Sequence, residues 1–77
     1  MSGADVVRLR GQLLELTERL LQEFRDTTLA AGPVIRAVAA ARDELRRAGV
    51  EAGLLAAIEA GARQRLRTQL SVLEAAR

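Results

Sequence analysis

Lysine, histidine, cysteine, tyrosine, tryptophan and asparagine are absent from this chain of 77 residues, and proline, phenylalanine and methionine each occur once. Each gap closes off a class of function. Without cysteine there is no disulfide and no thiolate metal site, and without histidine the usual imidazole ligands of zinc and iron are missing as well. Catalysis near neutral pH usually draws on an imidazole, a thiolate, a lysine of lowered pKa or a positioned phenol, whereas only carboxylate, hydroxyl and guanidinium groups remain here. No Ser-His-Asp or Cys-His arrangement can be drawn, and no glycine-rich loop carries the lysine that a phosphate cradle needs. The expectation is a protein that is not an enzyme, with no catalytic residue, no cofactor site and no metal site. Glu15, Glu18 and Gln22 share a helical face, but carboxylate sites in bundles pair an inward Glu with a Glu-x-x-His motif, so these read as a solvated surface.

Long apolar runs are missing too. No stretch approaches the roughly 18 uncharged apolar residues that span a bilayer, and the opening Met-Ser-Gly-Ala-Asp lacks the basic and apolar regions of a secretory signal. Basic amphipathic helices at membranes usually carry aromatic anchors, and the single Phe24 reads as core filler instead. A soluble, cytoplasmic protein with no membrane partner is expected.

What is present points to a folded helical chain. Hydrophobic residues make up 49% of it and the net charge is only +2, the opposite of the composition of disordered segments. Residues 1–77 are read as one domain, of a size at which a single core leaves roughly 3 to 5 kcal/mol of net stability. With no disulfide or metal to add to that, association is the remaining support.

Three helices follow from apolar periodicity. Over residues 3–27, Val6, Leu9, Leu13, Leu16, Leu20 and Phe24 recur at spacings of three and four, the period of one helical face. Ser2 with Asp5 fits a variant of the capping box. Val7, Leu14 and Leu21 widen the apolar face to about half the circumference, which calls for two neighbours. After a loop over 27–32, Pro33 is expected at the first position of a second helix, spanning 33–48 with Val34, Val38, Ala41, Leu45 and Ala48 as a narrow stripe. Gly49 suits the C′ position of a Schellman ending, with Val50 folding back on Leu45. A third helix, 51–76, carries Leu55, Ile58, Ala62, Leu66, Leu70 and Leu73 on its large apolar face. Small residues, Gly53, Ala57, Gly61, Thr68, Val72 and Ala75, make a second line. Each mid-helix glycine costs about 1 kcal/mol relative to alanine, so the line suggests a close neighbour.

The fold class expected is all-α: an up-down-up three-helix bundle with a short middle helix, and oligomeric. At 1.5 Å per residue the outer helices reach roughly 36 to 39 Å and the middle one about 24 Å. The second helix then covers residues 12–27 and 51–66, leaving overhangs that carry Val6, Val7 and Leu9 at one end and Leu70, Val72 and Leu73 at the other. Exposed apolar patches on a small soluble chain mark a contact surface. Together with Gly53, Ala57 and Gly61 these residues form the expected interface of a homo-oligomer, most simply a two-fold dimer, acting as a scaffold or regulatory adaptor with scope for a further protein partner.

All twelve basic residues are arginine. In a chain this rich in alanine and free of lysine and asparagine, that is the usage of a very GC-rich genome, yet it keeps nucleic acid as the alternative partner. The contact residues would be Arg42, Arg46, Arg47, Arg63 and Arg67. Against it, Arg63 and Arg65 lie about 160° apart on a helix, acidic residues interrupt the field, and +2 is a small charge for neutralising phosphates. The turn at Gly49 suggests a helix-turn-helix only superficially, because the helix after it begins Glu-Ala-Gly-Leu-Leu, with no side chain to read base edges.

The run LQEF…VIRAVAAARDELRRAGV…GLLAAIEAGARQRL, between Leu21 and Leu66, resembles small actinobacterial three-helix domains of uncharacterised function, similar to the helical segment preceding low-molecular-weight-phosphatase-like proteins. The matching positions are Leu21, Phe24, Val34, Val38, Ala41, Leu45, Arg63 and Leu66, a little over half the chain. The resemblance implies the helical fold and no activity, since the phosphatase domain with its cysteine nucleophile is absent.

Overall fold

A computed structural model describes residues 3–76, with all their side chains except those of Ala4 and Asp5. The Ser2 and Asp5 capping pair thus lies outside the described residues. Three α-helices account for the architecture, with no strand among the described residues: α1 (Gly3–Glu23), α2 (Ala31–Arg47) and α3 (Leu54–Ala75). The middle helix is the shortest, 17 residues against 21 and 22.

Their ends depart from the periodicity for local reasons. The first helix stops at Glu23 and not at residue 27, because Thr27 offers the chain an alternative. Its Oγ1 donates to the Phe24 carbonyl at 2.6 Å and accepts from the Leu29 amide at 3.2 Å, the local side-chain bonding by which threonine competes with a helix. Leu29 is thereby turned inward and buried, a core residue placed by a loop that no helical period reveals. The second helix starts at Ala31, so Pro33 is its third residue instead of its first. This is tolerated because none of the opening amides of a helix has a partner within it.

At the far end of α2 the Schellman bonds are present: Val50 N–H donates to the Leu45 carbonyl at 3.0 Å and Gly49 N–H to that of Arg46 at 3.1 Å. Gly49 has φ +75°, a left-handed conformation that side chains disfavour. The third helix begins later than residue 51, since Gly53 is also left-handed, φ +66°, and serves as the N-cap of α3. Gly53 therefore precedes the small-residue line instead of starting it.

The core is wholly apolar: Leu13, Leu16, Leu20 and Phe24 of α1, Val34, Ala37, Val38 and Ala41 of α2, Ile58, Ala62 and Leu66 of α3, closed by Leu29. The tightest pair is α2 with α3. A Cβ added to Gly61 would lie 3.4 Å from that of Ala41, so the close neighbour that the small residues of α3 call for is α2 of the same chain at this position.

Two contacts fix how α1 and α3 run. Arg19 pairs with Glu59 and Glu23 with Arg63, both across a separation of forty residues, and a constant separation is the mark of helices pointing the same way. Leu54 then stands level with Leu14, α1 projects below the start of α3, and the last turns of α3 project beyond Glu23. Two helices so staggered span about 48 Å at 1.5 Å per residue, which matches the longest dimension of the molecule, 48 Å.

Candidate functional site

The seam between α1 and α3 is closed by charge. The Arg63 guanidinium forks onto Glu23, Nε to Oε2 at 2.9 Å and Nη2 to Oε1 at 3.0 Å. Glu59 sits between Arg19, at 3.2 Å, and Arg63, at 4.0 Å. The hydrogen bond from Arg63 holds the Glu23 carboxyl below its ordinary pKa against a smaller upward push from burial, and the same bond raises Arg63. Arg65 is paired with Glu44 across α2 and α3.

The opposite seam, between α1 and α2, is left open at its lower end. There the projecting turns of α1 face the α2–α3 turn across a groove of about 650 Å³. Its floor is aliphatic: Val6 and Leu9 from α1, with Val50 and Leu54 from the turn and the start of α3. The Schellman ending places Val50, folding it back on Leu45 so that it is half-buried among the lining residues. Along the rim stand Arg10, Arg42 and Arg46, with Glu51 as the acidic lining residue. None of the three arginines forms an ion pair among the described residues. Arg42 is half-buried, as suits a side chain whose long apolar stem can lie on apolar surface while its charge stays in water. A smaller depression, lined by Leu21, Phe24, Leu29 and Val34, lies between α1 and the start of α2.

The expected interface residues fall into three situations. Val7 and Val72 are the most exposed, at 70% and 64%, with Leu73 and Val6 near 41% and 40%. Leu9 and Leu70, expected on free overhangs, are half-buried against the core. The reason is that α2 with its flanking turns reaches further along both neighbours than its own length suggests. Ala57 and Gly61 are half-buried, and Gly61 abuts α2. Two exposed aliphatics were not singled out as interface: Leu14, 63% exposed, and Ile35, 53%. Leu14 had a signal, since Val7, Leu14 and Leu21 repeat at intervals of seven.

The arginines expected to meet nucleic acid do not form one surface. Arg63 is engaged at the α1–α3 seam, whereas Arg42 and Arg46 belong to the groove between α1 and α2. Arg47 points its Nε at the Asp43 carbonyl, 3.4 Å away, and Arg67 is exposed on α3. Glu15, Glu18 and Gln22 are all exposed. No helix among the described residues is long and apolar enough to cross a membrane.

Comparison with family models, with characterised proteins and with solved structures finds no match. The site therefore has to be read from its own chemistry.

Proposed function

We propose that this chain is a non-enzymatic interaction module, an up-down-up three-helix unit that self-associates and serves as a scaffold or regulatory adaptor. The observation that carries this reading is the set of large aliphatic side chains left in water by a chain whose core is otherwise closed: Val7, Leu14, Ile35, Val72 and Leu73. Burying such a side chain contributes about 1.5 to 3 kcal/mol, a large term for so small a fold even after the cost of association. Val7 and Leu14 lie on one line of α1, and Val72 and Leu73 lie on the last turns of α3 beyond its paired region. The last turns of α3 are where a second copy would add contact without disturbing the core. The division of the arginines between two seams favours a protein partner over a nucleic acid.

Light scattering on the purified protein tests the reading. A dimer or larger species is expected, and Val72→Glu with Leu73→Glu lowers its mass while circular dichroism keeps the helical signal. A monomer at high concentration in the unaltered protein would overturn self-association.

A further inference from the structure

The groove at the lower α1–α2 seam combines an aliphatic floor with a rim of arginines that have no ion-pair partner among the described residues. Val6, Leu9, Val50 and Leu54 supply the floor. Arg10, Arg42 and Arg46 stand together on the rim although the chain has carboxylates enough to pair them, and pairs Arg19, Arg63 and Arg65 elsewhere. Glu51 is the one carboxylate among the lining residues and pairs with none of the three among the described residues, so the cluster keeps a net positive charge, and a bound group of opposite sign removes the repulsion within it. We infer that the groove is a docking site for an acidic amphipathic helix of a partner protein, its apolar face on the aliphatic floor and its carboxylates on the three arginines.

The shape of the seam agrees with a helix as occupant. On α2, Ile35, Ala39, Arg42 and Arg46 recur at spacings of four, three and four, one helical face, and Ile35 and Ala39 are exposed. On α1, Val7 and Leu14 form the facing exposed line. Exposed aliphatic side chains thus stand on both walls, over about 10 Å of α1 between Val7 and Leu14 and about 6 Å of α2 between Ile35 and Ala39. A helix laid in such a cleft is the usual way a helical surface takes a linear partner. A second copy of this chain is the poorer fit, since a two-fold pairing through this face brings arginine rims toward one another and like charges juxtaposed across an interface oppose association. Val7, Leu14 and Ile35 belong to this face, so the inference leaves self-association to Val72 and Leu73, which lie at the opposite end of the molecule.

The chain contains neither Trp nor Tyr, so the fluorescence of a tryptophan placed in a probe peptide reports on the peptide alone. The probe is a synthetic helix of about four turns with Leu and one Trp on one face and Glu on its flanks. Two controls replace Glu by Lys, or Leu by Ser. The acidic amphipathic peptide is expected to bind with a blue shift of its tryptophan emission and to weaken as salt rises. Arg10→Glu with Arg42→Glu weakens it about tenfold, and Arg46→Gln weakens it less. These positions have no ion-pair partner among the described residues and are no more than half-buried, so their variants keep the fold, checked by the helical signal. Val72→Glu, by contrast, leaves peptide binding unchanged while acting on the native mass. Equal binding of the Lys peptide, unchanged affinity in the Arg10/Arg42 variant, or no binding by any peptide at millimolar concentration would each overturn the assignment. A fall in native mass caused by the Arg10/Arg42 variant would overturn it in favour of a second copy. Competition by a single-stranded oligonucleotide but not by the acidic peptide would overturn it in favour of a phosphate surface.

Discussion

Gly49 and Gly11 show how differently one residue type acts in one chain. Gly49 has φ +75° with open space where a Cβ would sit, while Gly11 is a helical glycine with equally open surroundings. Alanine at position 49 has to adopt a left-handed conformation, at about 1 to 2 kcal/mol. At position 11 it removes only the backbone freedom of glycine, a gain of about 0.5 to 1 kcal/mol. Chemical denaturation should show Gly49→Ala shifted to lower midpoint and Gly11→Ala to higher. Equal shifts would mean that the turn after α2 is not held as described. Gly61 lies between these cases: alanine there gains helix propensity but meets Ala41 at 3.4 Å, so the two effects nearly cancel. The exceptional role of Gly49 was legible in sequence from its place after an arginine-rich last turn and before an apolar residue. That of Gly53 was not, because Glu51–Leu54 is compatible with a helix until the turn fixes its direction.

Between elements, the charged contacts set the register of α1 on α3. Glu23 and Arg63 are 40% and 30% exposed, so their fork contributes less than about 1 kcal/mol after solvent screening, but it adds specificity where an apolar seam alone allows sliding. Glu23 has its pKa lowered on folding. Its contribution is therefore fully present above the ordinary carboxylate value and is lost as pH falls through the lowered one, the range in which the unfolded chain binds the extra proton. Glu23→Gln should be less stable than the unaltered protein at neutral pH, and the gap should narrow toward acid. A gap constant with pH would mean that the loss comes from packing and not from the carboxylate. The helical period identified the buried faces, Leu13, Leu16, Leu20 and Phe24 on α1 and Val34, Val38 and Ala41 on α2. It could not identify Leu29, whose burial depends on the Thr27 hydrogen bonds, or Leu54, whose place beside α1 depends on where the third helix begins.

Over the whole molecule, an elongated body of 48 × 23 × 16 Å built from three staggered helices has more surface for its core than a compact one. Part of its stability is expected to come from association, and binding between native chains makes the unfolding midpoint depend on protein concentration. The thermal midpoint should rise over about a hundredfold increase in concentration, whereas a constant midpoint would describe a monomer sufficient in itself. Val72→Glu should flatten the dependence, and Arg42→Glu should leave it in place. That contrast separates the projecting end of α3 from the arginine-rimmed groove at the opposite end.

The helical class, the faces that turn inward and the lack of the side chains that most catalysis uses are written in the chain itself, because periodicity and composition are local properties. The sequence also supplied the arginines, without showing which would find a carboxylate. Only the tertiary structure decided that. The offset between α1 and α3 brings Arg19 and Arg63 onto Glu59 and Glu23 across forty residues of sequence, and the same offset carries the start of α1 below that of α3, where it faces the α2–α3 turn with Arg10, Arg42 and Arg46 around an apolar groove, none of them ion-paired among the described residues. Such a cluster joins residues distant in sequence, and its existence depends on helix register, a quantity set by packing between elements and not by the pattern within any one of them.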